Sequence, residues 1–303
     1  MSHKPFKTYD EQVEILQHKG LTISDPAAAR NHLMSLNYYR LSGYSLTLRK
    51  NDKFHNNVSF DDIMQIYQFD KELKLIVLKY LEDIEIALRT HIAYELGKLD
   101  TDENSELSYR CVNNFSSEEH FARFEQDLIT ARKDSKNELF VKHHEQKYSG
   151  ALPVWAMVET LSFGAASRLF SSLSVPLQKQ ICEEYYPNGP RYVTVGAWLE
   201  GLVVLRNLCA HHARLFNRGI VLSPSFSDDD ITYFVSQKYE RNEIGKKLFF
   251  RLIIIARLSP LPDICELLVS DITDLSNRYP AVNLSCYGFK KNWVDILKKT
   301  GTM

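Results

Sequence analysis

The sequence predicts an all-α protein, a bundle of many helices with a helical N-terminal lobe, and three observations carry the prediction. Glycine and proline are scarce, 12 and 10 in 303 residues, which disfavours a turn-rich β architecture. Between residues 60 and 97, apolar side chains return at helical spacing, at Ile63, Ile66, Leu73, Val77, Tyr80, Ile84, Leu88 and Ile92. Capping residues stand just ahead of several helical runs, namely Asp25-Pro26, Ser59 and Ser117. A hydrophobic content of 44% with 25% charge is ordinary for a globular chain, which at this length can bury a substantial core without disulfides.

In chain order, residues 9 to 19 read as a short helix ended by Gly20, and Asp25-Pro26 caps a second that runs to about Leu36. Asn37-Tyr38-Tyr39-Arg40-Leu41-Ser42-Gly43-Tyr44 then interleaves aromatic and basic residues, followed by Arg49, Lys50 and Lys53. Such a segment can hold phosphates while bases stack, so Arg40, Tyr44, Arg49 and Lys50 are candidate RNA contacts. The plainer reading is that the tyrosines pack under a loop and the lysines face water.

Ser59 and the acids Asp61 and Asp62 open the long helix, and Gly97 closes it. Glu85 lies four before Arg89, the spacing of an intrahelical ion pair. Arg89 and His91 are only two apart and fall on opposite sides of a helix, so structural roles are expected for them. Residues 98 to 116 are polar and read as a surface connection between an N-terminal lobe (1–105) and the remainder (106–303), although the two can form one continuous domain. Ser117 caps a charged helix to about Lys133, and a polar helix follows through His143-His144 to Tyr148; adjacent histidines on a helix cannot share one metal.

From Pro153 the chain turns apolar through Trp155, Val158 and Leu161, with Gly164 a close-packing point or a break. A helix over 176–185 stops at the turn Pro187-Asn188-Gly189-Pro190, which feeds a central helix expected over 193–213. Beyond it, Ser223-Pro224 and Asp228-Asp229-Asp230 mark a loop, and periodicity leaves Ile231 to Val235 undecided between strand and helix. Helices over 243–258, 262–276 and 290–299 complete the chain.

Several function classes are excluded or lack support. Neither G-x-x-x-x-G-K-[ST] nor G-x-G-x-x-G occurs, so nucleotide-driven chemistry has no motif. Five scattered cysteines without a C-x-x-C pair point to a reducing compartment, with neither a disulfide framework nor a zinc ribbon. A net charge of −1 confines any RNA contact to local patches. Residues 1 to 5 lack the apolar stretch of a signal peptide. The segment Leu248–Leu261 is broken by Arg251 and Arg257 and is too short to span a bilayer of about 30 Å. A cytoplasmic protein without membrane association is expected.

Chemistry is concentrated where an apolar run, Ala197 to Val203, meets Arg206, Asn207, His211, His212, Arg214, Asn217 and Arg218. On a helix Asn207 and His211 share a face, and the long Arg206 side chain reaches the same volume from one position round. An imidazole titrates near neutrality and can take or give a proton, a guanidinium covers phosphoryl charge, and an amide can hold either. These are parts for attack of a ribose 2′-hydroxyl on its own phosphate, a scheme that needs no metal or other cofactor. Two other readings exist: a buried polar network that only fixes helix packing, and metal ligation by Cys209, His211 and His212, whose spacing is poor for one helix face.

Arg206-Asn207-Leu208-Cys209-Ala210-His211 resembles the R-N-x-x-x-H motif of HEPN ribonucleases, and its continuation through Arg214, Asn217 and Arg218 resembles the abortive-infection (Abi) family of AbiD/AbiF-like proteins. Phe69-Asp70-Lys71-Glu72-Leu73, Ile84 to Thr90, Leu161-Ser162-Phe163-Gly164 and Gly288 to Trp293 fall in the same order as in that family, so the likeness extends over most of the chain. The resemblance implies an all-helical HEPN-type bundle, metal-independent cleavage of RNA and a role in shutting down phage-infected bacteria. Arg206, Asn207 and His211 are then the catalytic set, with Arg214, Asn217 and Arg218 as further RNA contacts. RNA and a second copy of the chain, as a homodimer, are the expected partners, and a small structured RNA or an antitoxin is a candidate third. The alternative function is a noncatalytic helical protein that binds RNA or another partner.

Overall fold

Capping chemistry sets where the chain becomes helical in the computed structural model, which describes residues 5–100, 107–186 and 190–301. Helix α1 (Tyr9–His18) starts after Thr8, whose hydroxyl accepts from the Glu11 N–H while the Glu11 carboxylate accepts from the Thr8 N–H. Asp25 caps α2 (Pro26–Ser35) by accepting from the Ala28 N–H, and Asn37 opens the five-residue α3 (Tyr38–Ser42). A hairpin follows, β1 (Arg49–Lys50) with β2 (Lys53–Phe54). Its turn residues Asn51 and Asp52 both take positive φ, 49° and 61°, the geometry of a type I′ connection. The sequence reading, which finds here only basic residues beside a loop, passes over this hairpin.

Ser59 and Asp62 form a second reciprocal cap that opens α4 (Phe60–Gly97), whose 38 residues span about 57 Å. Every apolar residue that marked its periodicity is buried, with Val77, Tyr80, Ile84, Leu88 and Ile92 fully so. Each contributes on the order of 1.5–3 kcal/mol by leaving water. Helices α5 (Glu118–Asp134), α6 (Leu139–Lys147), α7 (Val154–Met157), α8 (Phe163–Ser172), α9 (Val175–Tyr185), α10 (Tyr192–Ala210), α11 (Asp228–Ser236), α12 (Leu248–Leu258), α13 (Ile264–Arg278) and α14 (Trp293–Gly301) complete the described residues. The fold is therefore all-α, with α4 as its axis: α7, α8, α9, α10, α12 and α13 all lie against it.

Several boundaries differ from the sequence reading. The undecided stretch Ile231–Val235 is helical, because Ser227 and Asp230 form a reciprocal cap ahead of it. Residues 243–247 are turns and α12 begins only at Leu248, while the last helix starts at Trp293. Residues 107–115 are not a free surface connection: the Tyr109 hydroxyl donates to the Leu152 carbonyl at 2.7 Å, and Tyr109 and Phe115 are buried. Both the expected lobe boundary near 105 and most of the turn at 187–190 lie outside the described residues. Gly164 sits inside α8 and is not a break; a Cβ there would meet Val203 on α10 at 3.6 Å, an ordinary contact distance. By length and composition α10, and not the segment at 248–261, is long and apolar enough to cross a membrane, yet it packs against α4, α8, α9 and α12.

The two polar residues near the end of α4 diverge as their spacing requires. Arg89 reaches Glu85 at 2.5 Å and donates to the Leu161 carbonyl. His91 instead stacks on Tyr185, with ring centroids 3.7 Å apart. Burial pulls the His91 imidazole down from 6.5 to about 4, against the opposing charge of Glu95. Between those two values the unfolded chain holds a proton there that the folded chain does not, so stability falls as pH drops from about 6.5 to about 4 and this contribution is flat below. Urea unfolding across that range is expected to show His91→Phe less acid-sensitive than the parent; an unchanged slope would rule His91 out as a source of acid lability.

Candidate functional site

Helix α10 carries the site and packs against α4, α8, α9 and α12. Its approach to α8 is close at Gly196, where a Cβ would lie 3.0 Å from the Ser171 Oγ. Val195, Trp198, Leu199, Leu202, Leu205 and Cys209 form the buried face. Burial pushes the Cys209 thiol up to about 12, so it stays protonated and is a poor metal ligand beside His211 and His212.

The helix ends at Ala210, three residues earlier than the sequence pattern suggests, with His211 as its cap. The His212 N–H donates to the Cys209 carbonyl at 3.1 Å and the Ala213 N–H to the Leu208 carbonyl at 2.8 Å. This is a Schellman ending, whose left-handed position falls to glycine in most proteins and here to His212 at φ 57°. The His211 N–H still donates to the Asn207 carbonyl at 2.9 Å, so Asn207 and His211 remain one turn apart as the motif demands.

Buried contacts hold the chain leaving this turn. Asp70, fully buried on α4, accepts from the Phe216 N–H at 2.7 Å, the Leu215 N–H at 3.2 Å, the Tyr44 hydroxyl at 2.9 Å and the Tyr287 hydroxyl at 3.1 Å. Lys74 supplies its counter-charge at 3.0 Å. Burial first, then the Asp70 charge, raises both tyrosines well above their ordinary range, so they remain donors. Two arginines form a reciprocal clasp between this turn and the 37–45 segment: Arg40 donates to the His212 carbonyl at 2.6 Å, and Arg214 donates to the Gly43 carbonyl.

Arg206, Asn207 and His211 come together at the surface. The Arg206 Nη1 lies 3.4 Å from the Asn207 Oδ1, and its Nη2 lies 3.9 Å from Glu85, which also pairs with Arg89. The Arg206 side chain is 39% exposed, Asn207 and His211 are exposed, and the His211 imidazole has no hydrogen-bond or ion-pair partner among the described residues. Arg206, Asn207 and His211 are therefore not a buried polar network; the buried network near this turn is the one around Asp70.

The other candidates divide. Arg218 and Lys50 are exposed, and Asn217, at φ 47°, accepts from Lys247 at 3.3 Å. Arg49 is held by Asp52 at 2.9 Å. Tyr44 is only 1% exposed with its hydroxyl on Asp70, so its ring cannot stack on a base and the expectation of a direct contact is corrected. Arg40 and Arg214 are committed in part to the clasp. Sequence reasoning passed over Asp70 as a functional residue, although an acid on the same face as Leu73 and Val77, with a lysine four residues on, signals a buried charge.

The geometry defines a class: an all-helical protein that presents an Arg-Asn-His corner at the end of its central helix, braced by a buried carboxylate. The chain belongs to the Abi-like protein family, whose model matches residues 31–217. No curated protein and no solved structure matches it. The match ends at the motif, so the Gly288–Trp293 block lies beyond it, although Tyr287 just ahead of that block reaches Asp70. Two of the blocks within it touch directly, through Arg89 and the Leu161 carbonyl.

Proposed function

We propose that this chain is a metal-independent endoribonuclease of the HEPN type, of the AbiD/AbiF kind, acting in the cytoplasm as an abortive-infection effector against phage. The observation that carries the reading is the exposed corner where Arg206 and Asn207 are 3.4 Å apart and His211 caps the same helix turn with a free imidazole. The ribose 2′-oxygen bonds to phosphorus and the bond from phosphorus to the 5′-oxygen breaks. An imidazole takes the 2′-hydroxyl proton, and a protonated imidazole gives one to the departing 5′-oxygen. Arg206 covers the phosphoryl oxygens with its forked donors, and Asn207 orients the guanidinium.

One imidazole cannot be base and acid in the same instant, and His212 lies past the end of the helix in the left-handed position rather than one turn from Asn207 as His211 does. The working unit we propose is therefore a homodimer in which the His211 of a second copy supplies the other role. The outer face of α10 offers apolar surface for such a contact: Val193 and Ala197 on the helix, and Val221 and Leu222 after it, are exposed. Pairing two corners also gathers Arg206, Arg214 and Arg218 from both chains into a phosphate site on a protein of net charge −1.

Incubation of the purified protein with total bacterial RNA in EDTA tests the reading. Cleavage is expected to persist, to spare DNA and to leave 2′,3′-cyclic phosphate and 5′-hydroxyl ends. Strict Mg²⁺ dependence or cutting of DNA would move the protein to a two-metal class and overturn it.

A further inference from the structure

Tyr44 points inward, which leaves the aromatic role in the Tyr-Tyr-Arg segment to another residue. Tyr39 is 85% exposed, yet its backbone is fixed on both sides: its N–H donates to the Asn37 Oδ1 at 2.8 Å and its carbonyl accepts from the Ser42 hydroxyl at 2.7 Å. The side chain of the next residue, Arg40, donates to the His212 carbonyl at 2.6 Å, so the segment that carries Tyr39 is tied to the motif turn. Arg40 and Arg214 bring two guanidinium charges to the tie between this segment and the turn. A solvent-facing ring on a rigid backbone loses little freedom when a flat partner covers it, and a base stacked there would have its phosphates near cations.

We propose that Tyr39 is a stacking platform for an unpaired base of single-stranded RNA, seated next to the His211 corner; the proposal rests on the RNA reading above and names the form of RNA that the site takes. Duplex RNA would not suffice, because its bases are stacked on one another and its faces are closed to a side chain.

The test uses the cleavage-deficient His211→Ala protein and measures binding of short oligouridylate and oligoadenylate by fluorescence anisotropy. Tyr39→Ala and Tyr39→Leu are expected to weaken binding by about 5- to 100-fold, the range of one lost base–aromatic stack, while Tyr39→Phe retains it. Tyr94→Ala removes another exposed tyrosine, one without a tie to the motif turn, and is expected to change nothing. As a second readout, the indole fluorescence of Tyr39→Trp should be quenched on adding the oligonucleotide. RNA binding that survives Tyr39→Ala unchanged, or is lost equally with Tyr94→Ala, would overturn the stacking site and leave the nuclease reading standing. No RNA binding at all would overturn both.

Discussion

Replacing His211 with alanine is expected to lower RNA cleavage by about 10²- to 10⁴-fold, the usual cost of losing a group that transfers a proton in the transition state. Arg206→Ala should cost about 10²- to 10³-fold by removing cover for phosphoryl charge. Arg206→Lys should recover little of it, because an ammonium cannot reproduce the planar fork. The protein should remain folded in each case: His211 is exposed with no side-chain partner among the described residues, and Arg206 makes only contacts of 3.4 and 3.9 Å. Substitutions at such positions stay within about 0.5 kcal/mol. Cleavage rates with far-ultraviolet circular dichroism on the same samples would check this. A well-folded His211→Ala protein with the parental rate would end the assignment. Mixing Arg206→Ala with His211→Ala chains, alongside light scattering, addresses the composite site, and full activity of a monomer at high dilution would refute it.

The largest effect on stability is expected at Asp70. Its carboxylate is fully buried and gathers two tyrosine hydroxyls, two backbone N–H groups and the Lys74 ammonium. Removing it by Asp70→Ala strands those donors and leaves a buried cation uncompensated, a loss of about 3–5 kcal/mol. That is a large part of the 5–15 kcal/mol that ordinarily holds a domain folded. Asp70→Asn keeps the shape and still strands Lys74, so it should also destabilise, and adding Lys74→Met should restore part of the loss because no unpaired charge then remains. Urea midpoints for the three variants measure the effect. If Asp70→Asn unfolded at the parental midpoint, the carboxylate would not be the brace of the motif turn.

Much of the architecture is legible without coordinates because helices depend on local signals. The caps at Asp25, Ser59 and Ser117 and the apolar stripe of α4 are properties of neighbouring residues, and the structure places helix starts and the buried face there. The Glu85–Arg89 pair is legible for the same reason, as a four-residue spacing on one helix. The hairpin at 49–54 and the anchoring of 107–115 were not, since two-residue strands carry almost no pattern and Tyr109 gains its partner at Leu152 only through folding.

For the candidate site, the sequence by itself determined the chemistry on offer: one imidazole, one guanidinium and one amide at a spacing that a single helix turn brings together. The tertiary structure alone decided which side chains are free to use it. Tyr44 and Tyr39 are aromatic neighbours in one segment, and no periodicity over so short a helix tells them apart, yet one is sealed against Asp70 and the other faces water. Arg40 and His212 are separated by 172 positions, and Asp70 and Phe216 by 146. Contacts over such distances depend on where α4, α10 and the 37–45 segment meet, and that follows from burying their apolar faces together, a property of the whole chain and not of any window within it.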